Sequence, residues 1–322
     1  MLIDSLAIIS GFILLIWSAD RFICGAAATA RNLHVPPLII GLTVVGFGTS
    51  APEIMVAFFA AYDGSPAMAI GNAIGSNITN ITLVLGVAAL IAPLNVHSRI
   101  IKKELPILLM AMLVALALMR DMTLNRFDGF VLISLLGLLM WWMTREAIRN
   151  KNEDAFTEEI VEELPGHMST KAATFWLITG LLLLTLSSKI LVWGAVNIAH
   201  ALGISDLIIG LTIIAIGTSL PELAASITGA LRNEHDIVIG NVVGSNLFNT
   251  LGVLAIPGLI APAKLAPGIM DRDIPILFIL TIALFIMAYG FKGKGRINRI
   301  EGGILLTAFC LYQLLLFFTV IK

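Results

Sequence analysis

Residues 41–53 read GLTVVGFGTSAPE, and the stretch is flanked by apolar runs, PLII at 37–40 and IMVAFFAA at 54–61. A carboxylate at the centre of a membrane-spanning helix costs about 2.5–3.5 kcal/mol on insertion scales. Glu53 therefore needs a compensating partner or a use. Pro52 removes a backbone donor and crowds the turn before it. That predicts a disturbed helix, with carbonyls near Gly46 released to face inward.

The rest of the chain supplies the membrane setting. It has 322 residues, 58% hydrophobic and 13% charged, with mean hydropathy +0.97. A soluble domain carries about 25% charged residues. Apolar runs near the length of a bilayer-crossing helix recur throughout, which indicates an all-α integral membrane protein. Barrel strands would be shorter and would alternate in polarity. Ten spans are predicted, at about 5–30, 37–61, 67–92, 105–120, 127–147, 172–199, 206–231, 237–261, 274–291 and 300–320.

Lys and Arg concentrate in loops on one side: Arg31; Arg99, Lys102 and Lys103; Arg145, Arg149, Lys151 and Lys171; Arg232; and Lys292, Lys294, Arg296 and Arg299. The positive-inside rule makes that side cytoplasmic and puts both termini outside. The first span reads as a retained helix, and the short loops suit a prokaryotic plasma membrane. Cys24 and Cys310 fall inside apolar spans and read as small core residues, not as a disulfide framework or a zinc site.

The opening motif recurs. GLTVVGFGTSAPE at 41–53 returns as GLTIIAIGTSLPE at 210–222, and GNAIGSNITN at 71–80 as GNVVGSNLFN at 240–249, both displaced by 169 residues. The same displacement aligns Gly11, Ser18, Gly25 and Ala26 with Gly180, Ser187, Gly194 and Ala195. The predicted organisation is a first five-helix repeat, 1–147, holding motif 41–81, and a second, 172–322, holding motif 210–250. Between them lies a cytoplasmic linker, 148–171, containing NEDAFTEEIVEEL. That acidic run reads as a solvated linker; a regulatory cation site is its alternative. Five helices per half start the second half on the opposite face of the membrane. The repeats are then inverted, and such proteins place their substrate site at the midplane between the halves.

The repeated residues form a coherent donor set. Thr49, Ser50 and Glu53, like Thr218, Ser219 and Glu222, are spaced to share a helix face. Ser76 and Asn80, like Ser245 and Asn249, stand four apart. Glycines at 71, 75, 240 and 244 suit close backbone approach. Together these positions offer two carboxylates, hydroxyls, amide oxygens and loosened carbonyls, without thiolate or imidazole. Hard cations prefer such a set. Two glutamates balance one Ca²⁺, and the same oxygens can instead take several Na⁺. Competition for shared oxygens is a physical basis for exchange. Taken singly, a Pro-Glu kink or a small-residue stripe is as readily a packing feature. Both motifs occurring twice at one displacement argue for a function.

On these motifs the chain resembles the calcium/cation antiporter superfamily, and within it the compact prokaryotic sodium/calcium exchangers. GTSAPE with GSNITN, and GTSLPE with GSNLFN, match that family's two alpha repeats over nearly the whole chain. The resemblance implies ten helices, with spans 1 and 6 sliding as a tilted pair. It implies Ca²⁺ and Na⁺ as transported ions and no cofactor. The implied metal ligands are Gly46, Thr49, Ser50, Glu53, Ser76 and Asn80, with Ala215, Thr218, Ser219, Glu222, Ser245 and Asn249. Many exchangers carry Asp at one of the positions that are Asn80 and Asn249 here, and potassium-dependent members have it in the second repeat. Two Asn leave two formal charges and argue against potassium dependence.

H⁺-coupled or K⁺-assisted cation exchange is the nearest alternative, and a divalent cation channel is an alternative of another class. An enzyme is not expected: no nucleophile–base set, zinc-protease motif or phosphate-binding glycine loop is present. One chain completes the two-repeat unit, so a monomer suffices. Asp20, Arg21 and Lys189 lie within spans and either pair with neighbours or line an ion path. The five histidines fall at loops or span ends and read as surface residues.

Overall fold

The computed structural model describes residues 2–33, 37–64, 66–96, 103–149, 168–201, 215–289 and 295–321. Arg99, Lys102, Lys151, Lys292, Lys294, His34, His97, His167, the acidic run and the 210–214 part of the second motif lie outside the described residues.

The described residues are overwhelmingly helical. Six helices are long and apolar enough to cross a membrane, and a seventh candidate is the bent pair Gly41–Thr49 and Ala51–Tyr62, which meets at 47°. The fourth and ninth predicted spans correspond to shorter helices, Leu105–Leu118 and Ile274–Tyr289.

Burial runs outward from one element. The run His235–Ile260 is buried along its whole apolar window, whereas the first helix, Leu2–Leu33, is only 28% buried. The outer helices leave Ile3, Phe12, Leu138, Ile279 and Phe318 exposed. Apolar groups on that surface cost nothing when lipid is the solvent, while the backbone is satisfied inside each helix.

The first helix lies against Thr170–Ala201. Glycines set the separation: a Cβ on Gly25 would stand 2.4 Å from Leu177 N, and one on Gly180 would stand 2.8 Å from Phe22 Cα. These contacts recur with partners exchanged. Gly11 meets Leu191 while Gly180 meets Phe22; Gly25 meets Leu177 and Ala173 while Gly194 meets Ile8 and Asp4. Every partner is displaced by 169 residues from its counterpart.

Two short antiparallel ribbons tie the connections together. Leu94–Val96 pairs with Gly295–Ile297, and Thr123–Leu124 pairs with Ala263–Lys264. One ribbon joins the connection after the third predicted span to that after the ninth, and the other joins the connection after the fourth to that after the eighth.

Candidate ion-binding site

The Pro-Glu motif does not kink a continuous helix. Gly46–Thr49 ends at Ser50, whose φ/ψ of −80°/4° leave the helical region, and a new helix runs Ala51–Tyr62. Ser219 does the same at −88°/6° between Ala215–Thr218 and Leu220–Leu231. Pro52 and Pro221 stand in the first turn of the new helices, where a missing N–H costs nothing. Ser50 and Glu53 have the Ser-x-x-Glu spacing of a reciprocal helix cap. Neither Ser50 nor Ser219 makes that cap bond. Ser50 Oγ instead donates to Glu222 Oε1 of the other repeat, at 3.3 Å.

The expectation of a released carbonyl at Gly46 is corrected here. Gly46 O accepts the Ser50 N–H (3.2 Å) and the Ser245 hydroxyl (3.3 Å), because the break falls at Ser50 and leaves that backbone bond intact. In the second half, Ser219 N–H donates to Ile216 O at 3.1 Å.

The second motif also departs from regular helix. Wider π-type turns begin at the asparagines, over Asn80–Val84 and Asn249–Val253, and another precedes the first break at Gly41–Val45. Such turns are frequent at functional sites because they disturb the i→i−4 ladder. Small residues bring these segments together: a Cβ on Gly244 would meet Leu42 O at 2.4 Å, and one on Gly41 would meet Ile237 O at 2.9 Å. Among the described residues nothing lies within 4 Å of a Cβ built at Gly71 or Gly75. The segment that the repeat sets opposite them, 202–214, is outside the description.

The predicted polar residues converge. Thr49, Ser50, Glu53, Ser76, Asn80, Thr218, Ser219, Glu222, Ser245 and Asn249 are all buried, and both glutamates have 0% exposure. Gly46 is buried beside them, and Ala215 opens the helix Ala215–Thr218. The hydroxyls cross between halves. Those of Thr218 and Ser219 approach Glu53, together with Ser76, while those of Thr49 and Ser50 approach Glu222. Thr49 Oγ1 also lies 3.4 Å from Ser245 Oγ.

Among the described residues, both oxygens of Glu53, Glu222 Oε2, Asn80 Oδ1, Asn249 Oδ1 and Nδ2, and Ser219 Oγ are buried without a hydrogen-bond partner. Neither glutamate forms an ion pair among the described residues. Unpaired buried carboxylates are strongly unfavourable, so this lining calls for cations. The described residues contain no cluster of three His, Cys, Asp or Glu side chains. Beyond the two carboxylates, the donors are neutral oxygens, the ligand type of hard cations.

Sequence reasoning singled out the Ser and the last Asn of each GN-x-x-GSN-x-x-N run and passed over the others. Asn241 Nδ2 reaches Glu222 O (3.3 Å) and Ser226 Oγ (3.0 Å), and its Oδ1 accepts from Thr49 Oγ1 (3.0 Å). Its equivalent, Asn72, donates to Glu53 O at 3.3 Å. Asn77 donates to Thr250 Oγ1, and Asn80 to Asn246 Oδ1. Their recurrence at the same displacement was the available signal.

Of the charged residues within spans, Asp20 takes the pairing alternative. Arg232 binds it through Nε (2.9 Å) and Nη2, linking the first helix to the turn after Leu231. Arg21 stacks over Trp176, with 5.2 Å from Cζ to the ring centre. Lys189 is exposed.

Comparison with known proteins follows the same outline. A family model described as sodium/calcium exchanger protein matches residues 4–145 and 172–318. The chain is 48% identical to the putative antiporter CaxA of Alkalimonas amylolytica, over 98% of this chain and 99% of that one. It is 37% identical to the inner membrane protein YrbG of Escherichia coli, over 98% of each. Among solved structures it is similar to the sodium-calcium exchanger NCX_Mj soaked with Na⁺ and Sr²⁺, with TM-score 0.83 and 33% identity over 96% of this chain and 97% of that one.

Proposed function

This chain belongs to the sodium/calcium exchanger family, and from that premise we propose that it is a secondary active antiporter exchanging Ca²⁺ for Na⁺ by alternating access at a midplane site. The carrying observation is the pair of fully buried glutamates, each approached by hydroxyls of the opposite repeat and carrying unpaired oxygens. The proposed ligands are Thr49, Ser50, Glu53, Ser76, Asn80, Ala215, Thr218, Ser219, Glu222, Ser245 and Asn249, with Gly46 joining them once the Ser245 hydroxyl turns from its carbonyl to the ion. Without a cation, two buried charges oppose passage through an occluded state. Loaded with Ca²⁺ or with Na⁺, the site becomes electrically tolerable. One ion type is thereby exchanged for the other.

Ten spans in two inverted halves, 1–147 and 172–322 about a linker at 148–171, frame this site. Two observations support inversion. Contacts that recur with partners exchanged are those of a two-fold axis, as the glycine contacts of the first helix and Thr170–Ala201 are. The connections after a third and after a fourth helix lie on opposite membrane faces within one half. The ribbons join one of each kind across the halves, as expected of an inverted pair. We place the protein in the prokaryotic cell membrane, as the description of YrbG supports, with both termini outside.

The test is flux in proteoliposomes, with Na⁺, K⁺ and pH varied independently. ⁴⁵Ca²⁺ uptake is expected to follow the Na⁺ gradient alone. Uptake that survives collapse of that gradient and stops when the pH gradient is removed would establish H⁺ coupling. A requirement for K⁺ would identify K⁺-assisted exchange, and single-channel currents would identify a channel.

A further inference from the structure

The two amide ligands of the proposed site, Asn80 and Asn249, are repeat equivalents in unlike settings. Asn80 Nδ2 donates to Asn246 Oδ1 at 3.2 Å, and its other end, Oδ1, is buried without a partner. An amide offers a cation only its oxygen; turned round, its N–H groups face the charge. Asn246 therefore holds Asn80 in one orientation, with its oxygen left available.

In the other half the equivalent bond would run from Asn249 Nδ2 to Asn77 Oδ1. It is not made, and among the described residues both atoms are buried without partners. Cation binding accounts for an unpaired oxygen but gives no role to an unpaired NH₂. The difference traces to one position. Asn77 donates to Thr250 Oγ1 at 2.8 Å. The repeat equivalent of Thr250 is Ile81, which offers Asn246 no such acceptor. Asn77, Asn249 and Thr250 also line one small cavity, whose other walls include Met112, Leu277 and Phe278, so the Asn249 amide borders unfilled space.

We propose that Thr250 is a positioning residue that draws Asn77 away from Asn249, so that the site has one locked amide, Asn80, and one that turns to the ion as it binds. This rests on the functional reading above. A preorganised ligand binds more tightly, because ordering is not charged to the binding step. A ligand that must turn weakens binding and speeds release.

The experiment measures half-saturating Ca²⁺ and maximal rate of Na⁺-driven uptake for the full chain in proteoliposomes. Thr250→Val removes the hydroxyl with little change of shape, and Thr250→Ile copies the first repeat. Both are expected to lower half-saturating Ca²⁺ about three- to tenfold, on the order of one hydrogen bond, and to lower the maximal rate as well. Thr250→Ser keeps the wild-type constants, and Asn77→Leu placed on Thr250→Val cancels the gain in affinity. Ca²⁺-induced thermal stabilisation in detergent, which needs no transport, follows the same order. Constants unchanged in Thr250→Val, weaker Ca²⁺ binding in it, or Thr250→Ser matching Thr250→Val would each overturn the proposal. Loss of Na⁺-driven uptake in the wild type, with this order of stabilisation intact, would overturn the exchange reading and leave the positioning role standing.

Discussion

Ser50 of the first repeat donates its hydroxyl to Glu222 of the second, 3.3 Å away and 172 positions later in the chain. Among the described residues Glu222 keeps its other oxygen unpaired. Ser50→Ala strips that partner and one proposed ion ligand together. Hydrogen bonds to charged groups are worth about 1.5–3 kcal/mol, so half-saturating Ca²⁺ is expected to rise about ten- to hundredfold in uptake assays.

Glu53→Gln and Glu222→Gln separate function from stability. Each neutralises a buried carboxylate that the protein leaves without a counter-charge. Na⁺-driven ⁴⁵Ca²⁺ uptake is expected to fall to background in both. In ion-free buffer both variants are expected to unfold at higher temperature than the parent, gaining about 1–3 kcal/mol from relief of unpaired buried groups, while Ca²⁺ no longer stabilises them. Wild-type uptake in both variants would remove the two glutamates from the site.

Asn241 and Asn72 occupy equivalent places with unequal duties. Asn241 holds Glu222 O, Ser226 Oγ and Thr49 Oγ1, whereas Asn72 holds Glu53 O. Asn241→Ala leaves several buried groups unpaired and is expected to cost about 2–4 kcal/mol, as more than one bond at roughly 1–3 kcal/mol each is lost. Asn72→Ala is expected to cost about 1 kcal/mol. Thermal unfolding in detergent, with and without Ca²⁺, checks the order.

Glycine contacts predict where volume is refused. Gly244→Ala puts a methyl 2.4 Å from Leu42 O, and Gly25→Ala puts one 2.4 Å from Leu177 N. Both clashes are with backbone, which cannot rotate away, so each is expected to destabilise by about 1–3 kcal/mol. Gly137 has no described atom within 4 Å. Gly137→Ala is expected to be neutral or slightly stabilising, by up to about 1 kcal/mol of helix propensity. Yield of monodisperse protein and melting temperature report all three.

The Asp20–Arg232 pair lies at the protein surface, with side chains 36% and 41% exposed. Exposed pairs contribute about 0–1 kcal/mol. Asp20→Asn is therefore expected to lower stability by no more than about 1 kcal/mol, and less at high salt. The exchange Asp20→Arg with Arg232→Asp should recover the loss, read as melting temperature at two ionic strengths.

Much of the fold and donor set was legible because each rests on a local or periodic signal. Apolar runs mark helices, and one displacement of 169 residues relates two copies of Gly-Thr-Ser-x-Pro-Glu and of Gly-Ser-Asn-x-x-Asn. Hydroxyl, carboxylate and amide types point to a hard cation before any geometry is known. One local reading failed for a nameable reason. The disturbance that Pro52 predicts is a break, and the backbone leaves the helix two residues earlier, at Ser50, with Pro52 in the first turn of the next helix. That moved the break away from Gly46 and kept its carbonyl engaged.

By itself, then, the sequence determined a helical membrane protein, its duplication and the chemistry of its buried oxygens, because periodicity and residue type act within one segment. Only tertiary structure decided that Ser50 of one repeat donates to Glu222 of the other, that Asn241 clamps three groups at once, and that Asn77 bonds Thr250 while Asn80 bonds Asn246. Each of those relations includes a partner more than a hundred residues away, and a side chain's choice among acceptors is settled by which one the folded backbone brings within about 3 Å.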